Sequence, residues 1–131
     1  MANQVMHNIF SSKSEAVKNL GKRIITNLDH ANEISGFSTL LLSGGSTPGP
    51  LYKYLNTRYN DFDKTTVGLV DERFVKKYSE FSNEKLVRDL IPKARKFVGM
   101  VFESDNYSEN IHQARIKNGV FKDNIDVVIL G

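Results

Sequence analysis

Short unbroken apolar runs alternate along this chain with stretches whose apolar residues recur every three or four positions. The runs are Thr39–Leu42, Thr66–Val70, Phe97–Phe102 and Val127–Leu130, each bounded by turn or polar residues. A run without polar alternation suits a strand covered on both faces, as in a parallel sheet. Val5–Phe10 is expected to form a first strand ahead of them. Ser12 and Glu15 fit the S-x-x-E capping box and predict a helix start. From there Ala16, Val17, Leu20, Ile24, Leu28 and Ala31 lie at helical spacing and are expected to face the core, with Gly21 weakening the helix slightly and Gly36 ending it. Further helices are expected over 48–58, opened by Pro48, over 83–91, stopped by Pro92, and over 107–118, ended by Gly119 at the C′ position. Asn60 to Lys64 reads as a polar turn. Strands alternating with helices in this way predict an α/β fold with a doubly wound, Rossmann-like parallel sheet.

Composition narrows the class without naming a function. The 131 residues suffice for one domain with a real core. Hydrophobic residues at 40% and charged residues at 25% are ordinary for a soluble protein. No apolar stretch approaches a membrane span, and MANQVMHNIF lacks the pattern of a secretion signal, so a cytoplasmic location and no membrane partner are expected. The absence of cysteine excludes disulfides and cysteine-ligated metal sites. His7, His30 and His112 are scattered, without metal-ligand spacing, so no metal is expected. The net charge of +3 is mild, and basic residues do not cluster with aromatics as a nucleic-acid surface requires.

Chemistry is best sought where the apolar runs end, because open α/β sheets bind ligands at the C-terminal ends of their strands. The run from Leu40 to Tyr52, LLLSGGSTPGPLY, is a strand entering a glycine turn and then a helix. It lacks the lysine of a P-loop, the second glycine of a dinucleotide fingerprint, where Ser46 stands, and the G-x-S-x-G of a nucleophile elbow. What remains is a backbone cradle at Gly44 and Gly45 with the hydroxyls of Ser46 and Thr47, suited to phosphate or sugar oxygens. A plain strand-to-helix turn is the alternative. Asp71-Glu72-Arg73 follows the next apolar run, where a carboxylate beside a guanidinium can orient a hydroxyl, move a proton or hold an anion. A solvated turn with a surface ion pair would look the same. Ser82-Asn83 reads as a helix N-cap and gains a site role only beside the Asp71 loop.

Taken together, LSGGSTP followed by a tyrosine-bearing helix, then VDERFV with SN about ten residues on, resembles the 6-phosphogluconolactonase family within the group that includes glucosamine-6-phosphate deaminases. The likeness runs from Leu40 to about Ile91, and NIDVVILG is similar to the strand before that family's third signature. The resemblance implies hydrolysis of 6-phospho-D-glucono-1,5-lactone to 6-phosphogluconate in the pentose phosphate pathway, without metal or organic cofactor. The partner it implies is a small-molecule sugar phosphate or phosphosugar lactone. Gly44, Gly45, Ser46 and Thr47 then form the substrate-binding loop, Asp71 and Arg73 lie at the reacting sugar, and Asn83 supports the pocket.

The family's general base is a histidine in a G-x-D-G-H segment just beyond the strand matching Val127–Leu130, and this sequence ends at Gly131. Residues 1–131 are accordingly expected to be one α/β domain, the N-terminal portion of a larger lactonase domain, impaired in turnover. The last strand is expected to leave apolar surface bare, so that the chain dimerises through the uncovered sheet, swaps elements or aggregates. The alternatives are a deaminase or isomerase of the same group and a non-catalytic sugar-phosphate-binding fragment. Arg73, where such deaminases usually carry tyrosine, and the Ser82-Asn83 pair favour the lactonase.

Overall fold

The structure, a computed structural model, describes residues 4–131. Its elements in chain order are α1 (Lys13–Ser35), β1 (Ser38–Leu42), α2 (Gly49–Arg58), β2 (Thr65–Leu69), α3 (Asn83–Leu90), β3 (Phe97–Val98), α4 (Tyr107–Lys117) and β4 (Val127–Ile129). Short 3-10 turns at Phe62–Lys64 and Asn118–Phe121 lead into β2 and follow α4. The strands form one parallel sheet in the order β3-β2-β1-β4. Parallel pairing obliges every connection to cross back to the same end. The C-terminal ends of all four strands therefore share one edge.

Alternation along the strands decides which face each helix covers. Leu40, Leu42, Val67 and Leu69 are buried in one cluster with Ile24 and Leu28 of α1, Leu51, Tyr52 and Leu55 of α2, and Val87 of α3. Each such side chain contributes about 1.5–3 kcal/mol by leaving water. Leu41 and Gly68 point the other way, and the Phe121 ring lies where a Gly68 Cβ would stand. On that second face Val128, paired with Leu41, is 47% exposed, and Leu130 beyond it is 76% exposed. At the N-terminal end of the sheet, Asn32 Nδ2 donates to Tyr59 Oη at 2.7 Å. That oxygen pairs with Thr65 Oγ1 at 2.7 Å, and Thr65 pairs with Ser38 Oγ at 2.8 Å. This buried chain of polar groups ties α1, β1 and β2 together opposite the edge where the strands end.

The structure corrects several expectations. Val5–Phe10 forms no strand, with Val5 79% and Ile9 96% exposed. Its apolar residues come in pairs separated by two polar ones, so extended pairing would bury neither face. The run Phe97–Phe102 pairs only at Phe97 and Val98. Beyond them α4 takes over the backbone: Asn118 Nδ2 donates to the Gly99 carbonyl, Asn110 Nδ2 to the Met100 carbonyl, and Asn110 Oδ1 accepts from the Phe102 and Glu103 N–H groups. Gly119 is not a left-handed C′ residue, because the chain continues through a 3-10 turn that carries Phe121 onto the sheet. The capping box is half made: Ser12 accepts from the Glu15 N–H, while the Glu15 carboxylate accepts from the Ser11 hydroxyl one residue upstream.

Along α1 the buried stripe is Gly21, Ile24, Leu28 and Asn32, and Leu20 is 47% exposed. Gly21 turns inward because α2 approaches there, and a Cβ would overlap the Tyr54 ring. Gly21→Ala is expected to lose about 1–3 kcal/mol in urea unfolding through overpacking. Helix propensity alone would favour the change by about 1 kcal/mol. Tyr54→Ala in the same background should remove the penalty, and an undiminished stability of the single variant would refute the contact.

The second prediction concerns Tyr52, whose hydroxyl donates to the Ser43 carbonyl at 2.5 Å. Burial raises its pKa above the ordinary 10.0. The unfolded chain releases that proton first, so the contribution to stability is complete below the unfolded pKa and is lost as pH rises through the folded one. Urea midpoints measured upward from neutral pH should fall more steeply at the alkaline end for the wild type than for Tyr52→Phe.

Candidate active site

Leu42 and Leu69 are register partners, and the Val70 N–H donates to the Leu42 carbonyl at 2.8 Å, so the chain leaves β1 and β2 side by side. After β1 comes the glycine turn. Gly45 has φ +90°, a conformation open to glycine at little cost, and the Gly49 N–H closes the turn onto the Ser46 carbonyl at 3.2 Å. Tyr52 of α2 holds the Ser43 carbonyl. The Ser43 hydroxyl is buried without a partner. The N–H groups of Gly44, Gly45, Ser46 and Thr47 make no hydrogen bond among the described residues, and α2 has no side-chain N-cap. Four successive free donors thus precede the positive end of a helix. That arrangement favours anionic or strongly accepting oxygens.

After β2 the chain turns toward α3. The Glu72 carboxylate accepts from the N–H of Asn83 at 2.8 Å through Oε1 and from the N–H of Glu84 at 2.9 Å through Oε2. It also accepts from the Arg73 N–H at 2.9 Å and the Ser82 hydroxyl at 3.3 Å. Arg73 Nη1 donates to the Phe81 carbonyl at 3.1 Å, which aims an otherwise exposed guanidinium. The Asp71 carbonyl accepts from Asn83 Nδ2 at 3.3 Å, while its carboxylate is exposed and unbonded.

Asn83 links the two loops. It is buried, and its carboxamide lies so close to Gly44 that a Cβ there would overlap it. The next residue, Glu84, reaches the loop after β3: Gly99 has no room for a Cβ beside its carboxylate, whose Oε2 accepts from Arg88 Nε at 3.0 Å. The Arg88 guanidinium in turn sits 4.7 Å from the centre of the Phe97 ring. The first turn of α3 therefore touches the loops after three strands.

The residues singled out from sequence meet at this edge, in two roles. Asn83 is buried framework, Gly44 beside it is half-buried with a free N–H, and Gly45, Ser46, Thr47, Asp71 and Arg73 present exposed groups. Glu72 and Tyr52 were named from sequence only as parts of the charged triplet and of the helix after the glycine turn, without roles of their own, and Glu84 was not singled out. Their partners lie nine to fifteen residues away or on another element, and Ser82 alone already accounts for a helix start. Beside Arg73 a hollow of about 400 Å³ runs toward α4 between Phe74, Met100, Val101 and Ile111. Its walls are mostly apolar, so the hydrogen-bonding chemistry resides in the loops. No three His, Asp or Glu side chains converge among the described residues to hold a metal ion, and no helix there is long and apolar enough to cross a membrane.

Comparison with known proteins gives the family and the fold. Residues 11–131 match the family described as glucosamine-6-phosphate isomerases/6-phosphogluconolactonase. A 6-phosphogluconolactonase of Rhizobium meliloti is 33% identical over 130 residues, covering 96% of this chain and 56% of that protein. The crystal structure of a 6-phosphogluconolactonase from Shewanella baltica superposes with a TM-score of 0.87 at 30% identity, over 93% of this chain and 54% of that one. The Thermotoga maritima structure, at 21% identity and TM-score 0.77, shows the same fold. The chain thus spans about half the length of these relatives. On sequence and fold alike, it belongs to the glucosamine-6-phosphate isomerase/6-phosphogluconolactonase family.

Proposed function

We propose that these residues form the substrate-binding part of a 6-phosphogluconolactonase, the enzyme that opens 6-phospho-D-glucono-1,5-lactone to 6-phosphogluconate. One observation carries the reading: four free backbone donors at residues 44–47 stand on the strand next to an exposed Asp71 and an anchored Arg73. Lactone hydrolysis adds water to the ring carbonyl, passes through a charged tetrahedral oxygen and ends with the ring oxygen taking a proton. The free amides and the hydroxyls of Ser46 and Thr47 suit the oxygens of a phosphorylated sugar. Arg73 supplies positive charge to an anionic substrate or the developing oxyanion. Asp71 orients a hydroxyl, and Asn83 keeps the two loops at a fixed spacing. Water activation is a separate task, and His30 and His112, on α1 and α4, lie outside the loops described above. We assign binding and charge stabilisation to this edge, and expect lactone opening by the 131-residue chain no faster than the spontaneous reaction.

Adding 6-phosphogluconate to isotopically labelled protein should shift the amide resonances of Gly44 to Thr47. Arg73→Ala should weaken that binding about tenfold or more, the size of a lost charge-assisted hydrogen bond. Glucosamine 6-phosphate serves as the competitor. Tighter binding of the amino sugar would transfer the assignment to the deaminase branch, and no response of the glycine loop to either ligand would refute it.

A further inference from the structure

Glu72 does more than the start of a helix requires. The side chain of Ser82 already caps α3 by accepting from the Lys85 N–H at 3.2 Å. Glu72 comes from the end of β2, ten residues upstream of that cap, and takes the two remaining amides of the first turn with both carboxylate oxygens. Neighbouring groups of the proposed site are thereby held from one side chain: the Arg73 N–H on the same oxygen as Asn83, and Asn83 against Gly44. A helix N-terminus with free amides attracts anions, and here a protein carboxylate already occupies it. The neighbouring helix α2 is left without any side-chain cap.

We propose that Glu72 is the positioning residue of this site: it closes the N-terminus of α3 to anions, leaving the glycine loop and Arg73 as the landing place for an anionic sugar, and it sets the spacing between them. The proposal rests on the sugar-phosphate reading above for its ligand, and on ligand-free geometry for the positioning itself. Glu72→Gln removes the negative charge and turns one of the two acceptors into a donor facing the Glu84 N–H.

In the wild type, 6-phosphogluconate should shift the amides of residues 44–47 and leave those of Asn83 and Glu84 unmoved. In Glu72→Gln the ligand should bind about tenfold more weakly, as expected when charge-assisted hydrogen bonds are lost. Without ligand, the Gly44 and Arg73 resonances should already be displaced, and inorganic phosphate should now shift Asn83 and Glu84. Val87→Ala, which opens a cavity in the buried face of the same helix, controls for destabilisation and should leave binding and the Gly44 resonance unchanged. Glu72→Asp keeps the charge with a shorter reach. It should restore part of the affinity, and it carries the test should Glu72→Gln not fold.

An unmoved Gly44 and Arg73 in the ligand-free variant would overturn the proposal. Equal weakening by Val87→Ala would overturn it too. Failure of the wild type to bind 6-phosphogluconate would instead count against the sugar-phosphate reading alone. The ligand-free spectra and the inorganic phosphate titration would still decide the role of Glu72.

Discussion

The first amides of α3 have no partner within the helix, and the edge where the strands end is organised by how they are satisfied. Two of them need an acceptor from elsewhere in the chain, since Ser82 serves the third. Glu72 provides it from the end of β2, so the strand end and the helix start become one rigid piece. An anion at this position is further favoured by the helix dipole. Once α3 is placed, its first two side chains press on neighbouring loops, Asn83 on Gly44 and Glu84 on Gly99. Both positions have to be glycine for reasons of space, whatever their backbone angles.

The two helix starts at this edge thus have opposite characters. Alpha-helix 3 is filled by protein groups, with one carboxylate and one hydroxyl on three amides. Alpha-helix 2 opens from a turn whose four preceding amides are unengaged, and the nearest side chain to bond there, Tyr52, addresses a carbonyl instead. Tyr52 therefore stiffens the turn without consuming its donors. Donors already held in place before any ligand arrives are what electrostatic preorganisation demands of a binding site.

Much of this was legible in the sequence because it depends on local pattern. Unbroken apolar runs marked β1, β2 and β4, glycines and a proline marked the turn into α2, and Asp71 to Arg73 stood out as charge after an apolar strand. Three of the misreadings share a physical origin in partners on other elements, whereas the Val5–Phe10 strand failed on its own local spacing. Phe97–Phe102 is apolar enough to pair throughout, but α4 offers its backbone asparagine side chains. Gly21 looked like a weak helix residue, although its missing side chain admits Tyr54. Glu72 sat in plain view within the charged triplet, and only the placement of α3 reveals that it, unlike Asp71 and Arg73, points back into the protein.

The uneven covering of the sheet bears directly on where the site can be trusted to hold its shape. The face bearing Leu40, Leu42, Val67 and Leu69 is sealed by three helices, and Leu42 and Leu69 are the last residues of β1 and β2, from which the site loops emerge. The bare apolar surface lies on the other face and one strand away, at Val128 and Leu130. Beta-strand 4 is joined to β1 over only three register pairs, with Thr39 and Asp126 clasping its start at 2.8–3.1 Å. Movement or pairing of β4 would reach the glycine turn directly, because Gly131 just beyond it lies against Ser43 and Pro48. The β1–β2 register and the Glu72 clasp resist that on the sealed side. The edge that carries the two loops is in this sense anchored by the sealed face of the sheet.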